Sequence, residues 1–234
     1  MKLRLDKLLS NSGFGSRQKI RELAKQNKII VNGNIISDVS TKIDTSDTII
    51  CNGEVVEYSE FTYIVMNKPS GYVSACSDKL HPTVIDLLEP RLQKLRLSPV
   101  GRLDIDTEGL LFLSNDGDFI HNIISPNKNI TKTYYIRSES PLSENDINTL
   151  ENGVLLITEN YITKPATIDK ITENEYLITI SEGKFHQVKR MLIAVGNKVT
   201  YLKRIKIANF KLPENLSKGE YKIVKKSEIL NYFE

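Results

Sequence analysis

GRLDIDTEGLLFLSNDG, residues 101–117, sets an aspartate between two apolar runs. Residues 97–103 predict one strand. Residues 110–113 predict another, which runs into Asn115-Asp116-Gly117-Asp118, a strong turn signal. Asp104 falls one residue after an apolar position, where the first strand gives way to a turn. A carboxylate at the mouth of such a unit is rigidly held, partly dry and able to reach a bound substrate, which suits nucleophilic or general-base chemistry. Gly101 and Gly109 let backbone or substrate come close on either side. Aspartates at turns also bond their own backbone, so spacing alone leaves Asp104 and Asp106 open to a purely local role.

Outward from this unit the chain alternates short strands and short helices. Residues 63–66 read as a strand entering the Asn67-Lys68-Pro69-Ser70-Gly71 turn, and residues 84–92 have helical spacing. A short helix over 119–124 ends at Pro126, and Ser143 caps a helix that stops at Gly153. Residues 185–195 form a further helix, with strands over 131–137, 176–180 and 201–211. Helices scattered between strand pairs favour an α+β domain with a mixed, largely antiparallel sheet over a doubly wound parallel one.

At 234 residues, 40% of them apolar, the chain can fill the core of one large domain or of a small and a medium one. MKLRLDKLL alternates charge with leucine, so no secretory signal is expected, and no stretch nears the roughly 18 apolar residues of a membrane span. Cys51 and Cys76 stand far apart without metal-spaced partners; they read as thiols of a reducing cytoplasm, and no metal is expected. The net charge of +3 is unevenly spread. Residues 1–34 carry eight Lys or Arg against two acids, leaving −3 for the remainder, yet residues 183–213 hold eight basic residues and no acid. Two basic zones on an otherwise acidic chain suggest a polyanion held at two places.

In the first zone Leu3, Leu5, Leu8 and Leu9 mark one helix face. Ser16 caps a second helix over 17–26, with Ile20, Leu23 and Ala24 inward and Arg17, Arg21, Lys25 and Lys28 outward. Asn32-Gly33 and Asn52-Gly53 are type I′ hairpin signals. Phe14 is the one aromatic residue before Tyr58, so a nucleic acid held by this module is expected to be met through backbone and shape rather than through single-stranded bases.

The order Arg-Leu-Asp-Lys, Gly-x-x-Ser-Arg, Ile-Ile-Val-Asn-Gly over about residues 2–50 resembles the S4 RNA-binding domain. That resemblance implies RNA contacts by Arg4, Lys7, Arg17, Lys19, Arg21 and Lys28. GRLDIDTEGLLFLSNDG resembles the signature of the bacterial pseudouridine synthases that modify ribosomal RNA, which convert a uridine into its carbon-linked isomer. Lys68-Pro69-Ser70-Gly71, Lys132-Thr133-Tyr134 and the run from Ser181 to Met191 are similar to three further motifs of that family. The resemblance implies that Asp104 is the catalytic carboxylate and that Tyr134 packs against the uracil. It implies that Lys189 or Arg190 pairs with the aspartate, a cation that would keep it ionised in a dry pocket. Arg102 resembles an arginine that fills the gap left by the extruded nucleotide, and Lys68 is counted among the RNA-contacting residues. His81 and His186 are read as structural rather than as acid–base groups.

The implied architecture is a small S4-like α/β module over residues 1–58 and a synthase domain over residues 59–234. The implied reaction is an isomerisation without redox or group transfer, so no cofactor is expected. His81-Pro82-Thr83-Val84, Asp104-Ile105-Asp106-Thr107 and residues 185–190 resemble the small-subunit (16S) type. The expected partner is ribosomal RNA in a small-subunit assembly intermediate, met by a cytoplasmic monomer with no membrane role. Three alternatives stand beside this reading: a large-subunit (23S) enzyme of the same family, a non-catalytic S4-type RNA-binding or ribosome-assembly protein, and a glycoside hydrolase using Asp104 and Asp106 as its carboxylate pair.

Overall fold

A computed structural model describes residues 2–157 and 160–233. They pack as two units: residues up to Thr62 together with Leu88–Ser98, and Tyr63–Leu87 together with the chain from Pro99 onward.

The first unit holds β1 (Lys2–Arg4), α1 (Leu5–Asn11), α2 (Arg17–Lys25), β2 (Ile29–Val31), β3 (Asn34–Ile35), β4 (Lys42–Asp44), β5 (Ile49–Cys51) and β6 (Glu54–Val55). Ser16 caps α2 as expected, accepting from the Lys19 N–H at 3.2 Å. Ile20, Leu23 and Ala24 turn inward against Leu5, Leu8, Leu9, Ile29 and Ile49. Asn32 and Gly33 have φ of 49° and 81°, the paired positive values of a type I′ turn, and they join β2 to β3. Leu3 leaves the predicted first helix because β1 pairs with β4, setting Leu3 opposite Ile43.

Residues 84–92 do not form the predicted helix. Asp86 instead closes a turn by accepting from the Thr83 N–H at 2.7 Å and hydroxyl at 2.9 Å. Glu89 is extended (φ −58°, ψ 152°), as the ring of Pro90 requires of the residue before it. Only α3 (Pro90–Gln93) is helical, and it packs within the first unit, where Arg91 donates to the Ser12 carbonyl at 2.9 Å and lies over the Phe14 ring.

The second unit contains β7 (Tyr63–Lys68), β8 (Ser98–Val100), β9 (Glu108–Ser114), α4 (Gly117–Ile124), β10 (Lys132–Ser138), α5 (Glu144–Asn152), β11 (Leu155–Leu156), β12 (Tyr161–Ile162), β13 (Thr167–Lys170), β14 (Glu175–Ile180), α6 (Gln187–Ala194), β15 (Val199–Ile207), β16 (Phe210–Lys211), β17 (Tyr221–Val224) and α7 (Lys226–Leu230). Its main sheet runs β13-β14-β10-β15-β9-β7-β17. Only the β15–β9 pair along this path is parallel, so the sheet is mixed and largely antiparallel, as expected.

All seven residues of β9 are buried, which suits the centre of a sheet covered on both faces. Phe112 packs edge-on against Phe210 at 5.2 Å, and burying such a side chain contributes roughly 1.5–3 kcal/mol. At the end of β9 Asp116 caps α4 through the Phe119 N–H and accepts from the Tyr63 hydroxyl at 2.6 Å and Lys226 Nζ at 2.7 Å. Ser143 and Asp146 form a full capping box on α5, and Gly153 (φ 96°) ends it. The predicted strand over 201–211 splits into β15 and β16 at Ala208-Asn209. Among the described residues no helix is long and apolar enough to cross a membrane.

Candidate active site

Asp104 stands on an irregular turn between β8 and β9, and the turn is fastened from beneath. Thr107 N–H closes it on the Asp104 carbonyl at 3.1 Å, and Gly71 N–H donates to the Ile105 carbonyl at 2.7 Å. Ser74 Oγ accepts from the Leu103 N–H at 3.1 Å and donates to the Leu103 carbonyl at 3.0 Å. Lys68 contributes most. From the end of β7 its Nζ lies within bonding distance of the carbonyls of Pro69 (3.0 Å), Asp104 (3.1 Å), Ile105 (3.3 Å) and Thr107 (2.8 Å).

Lys68, counted above among the RNA-contacting residues, therefore lies beneath the turn rather than on the surface. It is wholly buried, and its ammonium is committed to the loop. Burial draws its pKa down to about 8, against the charges of Asp106, Asp104 and Glu108, so it keeps its proton at neutral pH.

The Asp104 side chain is 24% exposed and faces an open cleft. Arg102, Thr107, Tyr134, Lys184, His186 and Gln187 share that cleft, so the turn, β10 and the start of α6 converge on one place. Lys189 Nζ lies 3.2 Å from Asp104 Oδ2 and 2.6 Å from Asp106 Oδ1. Burial disfavours the Lys189 ammonium, but its bond to Asp106 and the charge of Asp104 outweigh this and raise its pKa above the ordinary lysine value. Arg190, which sequence could not separate from Lys189, donates Nη1 to the Phe185 carbonyl at 3.2 Å.

His186, read above as structural, has its Nε2 3.5 Å from Asp104 Oδ1. Gln187 shapes the same rim by donating to Glu182 at 2.6 Å and accepting from the Lys184 N–H at 2.9 Å. Tyr134 is buried in β10 with its ring on the cleft wall. His81 is exposed. In the first unit Lys7, Arg17, Lys19, Arg21 and Lys28 are exposed. Arg4 is also exposed, but it forms a two-point pair with Asp6 at 2.9 and 3.1 Å. Among the described residues no three His, Cys, Asp or Glu side chains gather as metal ligands would.

The sequence profile of the RNA pseudouridylate synthase family matches residues 62–194, and that of the S4 domain matches residues 3–49. The chain belongs to the RNA pseudouridylate synthase family. The synthase match runs from the start of β7 to the end of α6 and so takes in Lys68, Asp104, Tyr134 and Lys189. An uncharacterised RNA pseudouridine synthase of Bacillus subtilis (strain 168), YtzG, is 43% identical over 232 residues, covering 97% of each chain. Ribosomal small subunit pseudouridine synthase A of Salmonella typhimurium is 39% identical over 229 residues, covering 97% of this chain and 98% of the relative. A protein of that name from Escherichia coli (strain K12) is 38% identical with the same coverage. A crystal structure of a pseudouridylate synthase superposes with a TM-score of 0.70 at 36% identity, over 99% of this chain and 100% of that one.

Proposed function

We propose that this synthase converts a uridine of small-subunit (16S) ribosomal RNA to pseudouridine, with Asp104 as the reacting carboxylate. The observation that carries the reading is Asp104 itself, preset on a fastened turn, paired through Oδ2 to Lys189, and open to a cleft walled by Tyr134. The named small-subunit relatives of Salmonella and Escherichia, matched along nearly the whole chain, support the choice of RNA. A cytoplasmic monomer acting on an assembly intermediate completes the proposal, with the exposed cations of the S4 module binding RNA phosphates.

The target nucleotide leaves its stack to reach the cleft, at a cost of a few kcal/mol that contacts elsewhere offset. The bond from uracil N1 to C1′ breaks, the ring turns against Tyr134, and C5 joins C1′. C5 then gives up its proton and N1 takes one up, so atoms balance without a redox step. Asp104 serves by attacking C1′ or by taking the C2′ proton, and either role needs its negative charge. Lys189 holds and balances that charge.

Mapping pseudouridine in both ribosomal RNAs from cells with and without the gene tests the substrate. Loss of one 16S modification is expected; loss confined to 23S rRNA would transfer the enzyme to the large subunit, and no loss would sink the reading. Tritium release from C5-labelled uridine tests the residue: Asp104→Asn should be inactive yet bind RNA, while Asp106→Asn retains most activity. Equal losses in the two variants would remove Asp104 from its role.

A further inference from the structure

Phe185 is 71% exposed, yet its ring is stacked on His186, with centroids 3.7 Å apart and planes 20° from parallel. His186 makes this possible by adopting left-handed backbone angles (φ 49°, ψ 33°), uncommon for a residue other than glycine. It stands at the N-cap of α6 but makes no side-chain capping bond there, so capping does not account for the conformation. What the conformation does achieve is placement. His186 Nε2 reaches Asp104 Oδ1 at 3.5 Å, and Phe185 extends the stack outward with its far face open to solvent.

Basic side chains share the cleft with Asp104. Lys184 lines the cleft with its Nζ 4.1 Å from the centre of the Tyr161 ring, Arg102 lines it from the turn, and residues 183–213 contain no acid. An exposed aromatic ring stacked on a cleft-lining residue, with cations in the same cleft, matches the way single-stranded nucleic acid is held.

We propose that Phe185 stacks the base of a nucleotide adjacent to the target uridine, with His186 carrying the stack into the cleft. This rests on reading the cleft of Asp104 as a uridine site. Every base has a π-face, so the platform holds the strand without choosing its sequence. It keeps the neighbour from following the uridine back into the helix.

The test uses the full chain, the rRNA fragment that the wild type converts, and the variants Phe185→Ala and Phe185→Trp. Phe185→Ala should raise the Kd and KM for RNA by roughly five- to a hundredfold, the range of a single base stack, with kcat at saturating RNA little changed. Phe185→Trp should restore both. Each nucleotide flanking the uridine is then made abasic in turn. At the stacking position the abasic RNA should bind the wild type as weakly as intact RNA binds Phe185→Ala, and combining the two changes should cost nothing more. Wild-type Kd and KM in Phe185→Ala, or losses that add at every flanking position, would overturn the platform. If the wild type makes no pseudouridine in ribosomal RNA, the assignment of the cleft fails first and the platform with it.

Discussion

Lys189→Met removes the cation beside Asp104, the carboxylate proposed to react, while keeping most of the side chain's length. Two unit charges 3.2 Å apart attract by about 5 kcal/mol at an effective dielectric of about 20. The side chains of Lys189 and Asp104 are 22% and 24% exposed, so screening and lost hydration take back much of this. A hydrogen bond to a charged group nets about 1.5–3 kcal/mol, and that is the expected loss. If the pair orients the carboxylate through the transition state, kcat should fall about ten- to a hundredfold. Single-turnover tritium release at saturating RNA measures it, with a parallel Kd that should change little. Arg190→Met should lose less, because its guanidinium is directed to the Phe185 carbonyl at the start of its own helix. A wild-type rate in Lys189→Met would refute the argument, and a larger loss in Arg190→Met would hand the role to Arg190.

Gly109→Ala should destabilise the synthase fold severely. Its Cβ, at φ 103°, would land on the Arg204 carbonyl oxygen and within 2.9 Å of that residue's carbonyl carbon and nitrogen, where β9 and β15 run parallel. Strain at positive φ and overpacking together come to about 2–6 kcal/mol, and an unshifted urea midpoint would disprove it. Replacing Arg17, Arg21 and Lys28 with Gln should weaken RNA binding and flatten its log–log salt dependence by about 0.7–0.9 for each phosphate no longer neutralised; an unchanged slope would take these residues out of the interface. Acid should loosen the first unit through Asp6, whose hydrogen bond from Arg4 holds its pKa below the usual 3.8. Its contribution is complete above that usual value and is lost as pH falls through the lowered one. Arg4→Gln should therefore move the acid-induced opening of α1, followed by amide exchange, to higher pH, and superimposable profiles would contradict this.

Local chemistry was readable in advance where one residue type satisfies one backbone need. Ser16 and Ser143 capped the helices they preceded, and Asn32-Gly33 supplied the positive φ values of its hairpin. The helix predicted over 84–92 failed because burial of Val84, Ile85, Leu88 and Leu92 has helical spacing, while Asp86 and Pro90 settle the backbone otherwise. Strands of two or three residues, such as β4, β11 and β12, are too short to show a period.

The site divides similarly. Motif resemblance pointed to Asp104 and Tyr134, which the fold brings to one cleft, but it could not say that Lys68 points inward, since that depends on carbonyls gathered from a turn far along the chain. Nor could it choose between Lys189 and Arg190. One step along a helix turns a side chain by about 100°, so the angle at which α6 meets the turn decides. His186 was weighed and set aside as structural, because its nearness to Asp104 arises only when the turn and α6 are folded together.

The ammonium of Lys68 sits among four carbonyl oxygens in the manner of a bound metal ion, but the chain carries this cation itself. The turn under Asp104 thus borrows no ion from the medium, and its shape exists before RNA arrives. Capture of RNA by surface cations weakens steeply as salt displaces them. Capture and chemistry are therefore separable by ionic strength alone: across a salt titration KM should climb while kcat at saturating RNA stays level.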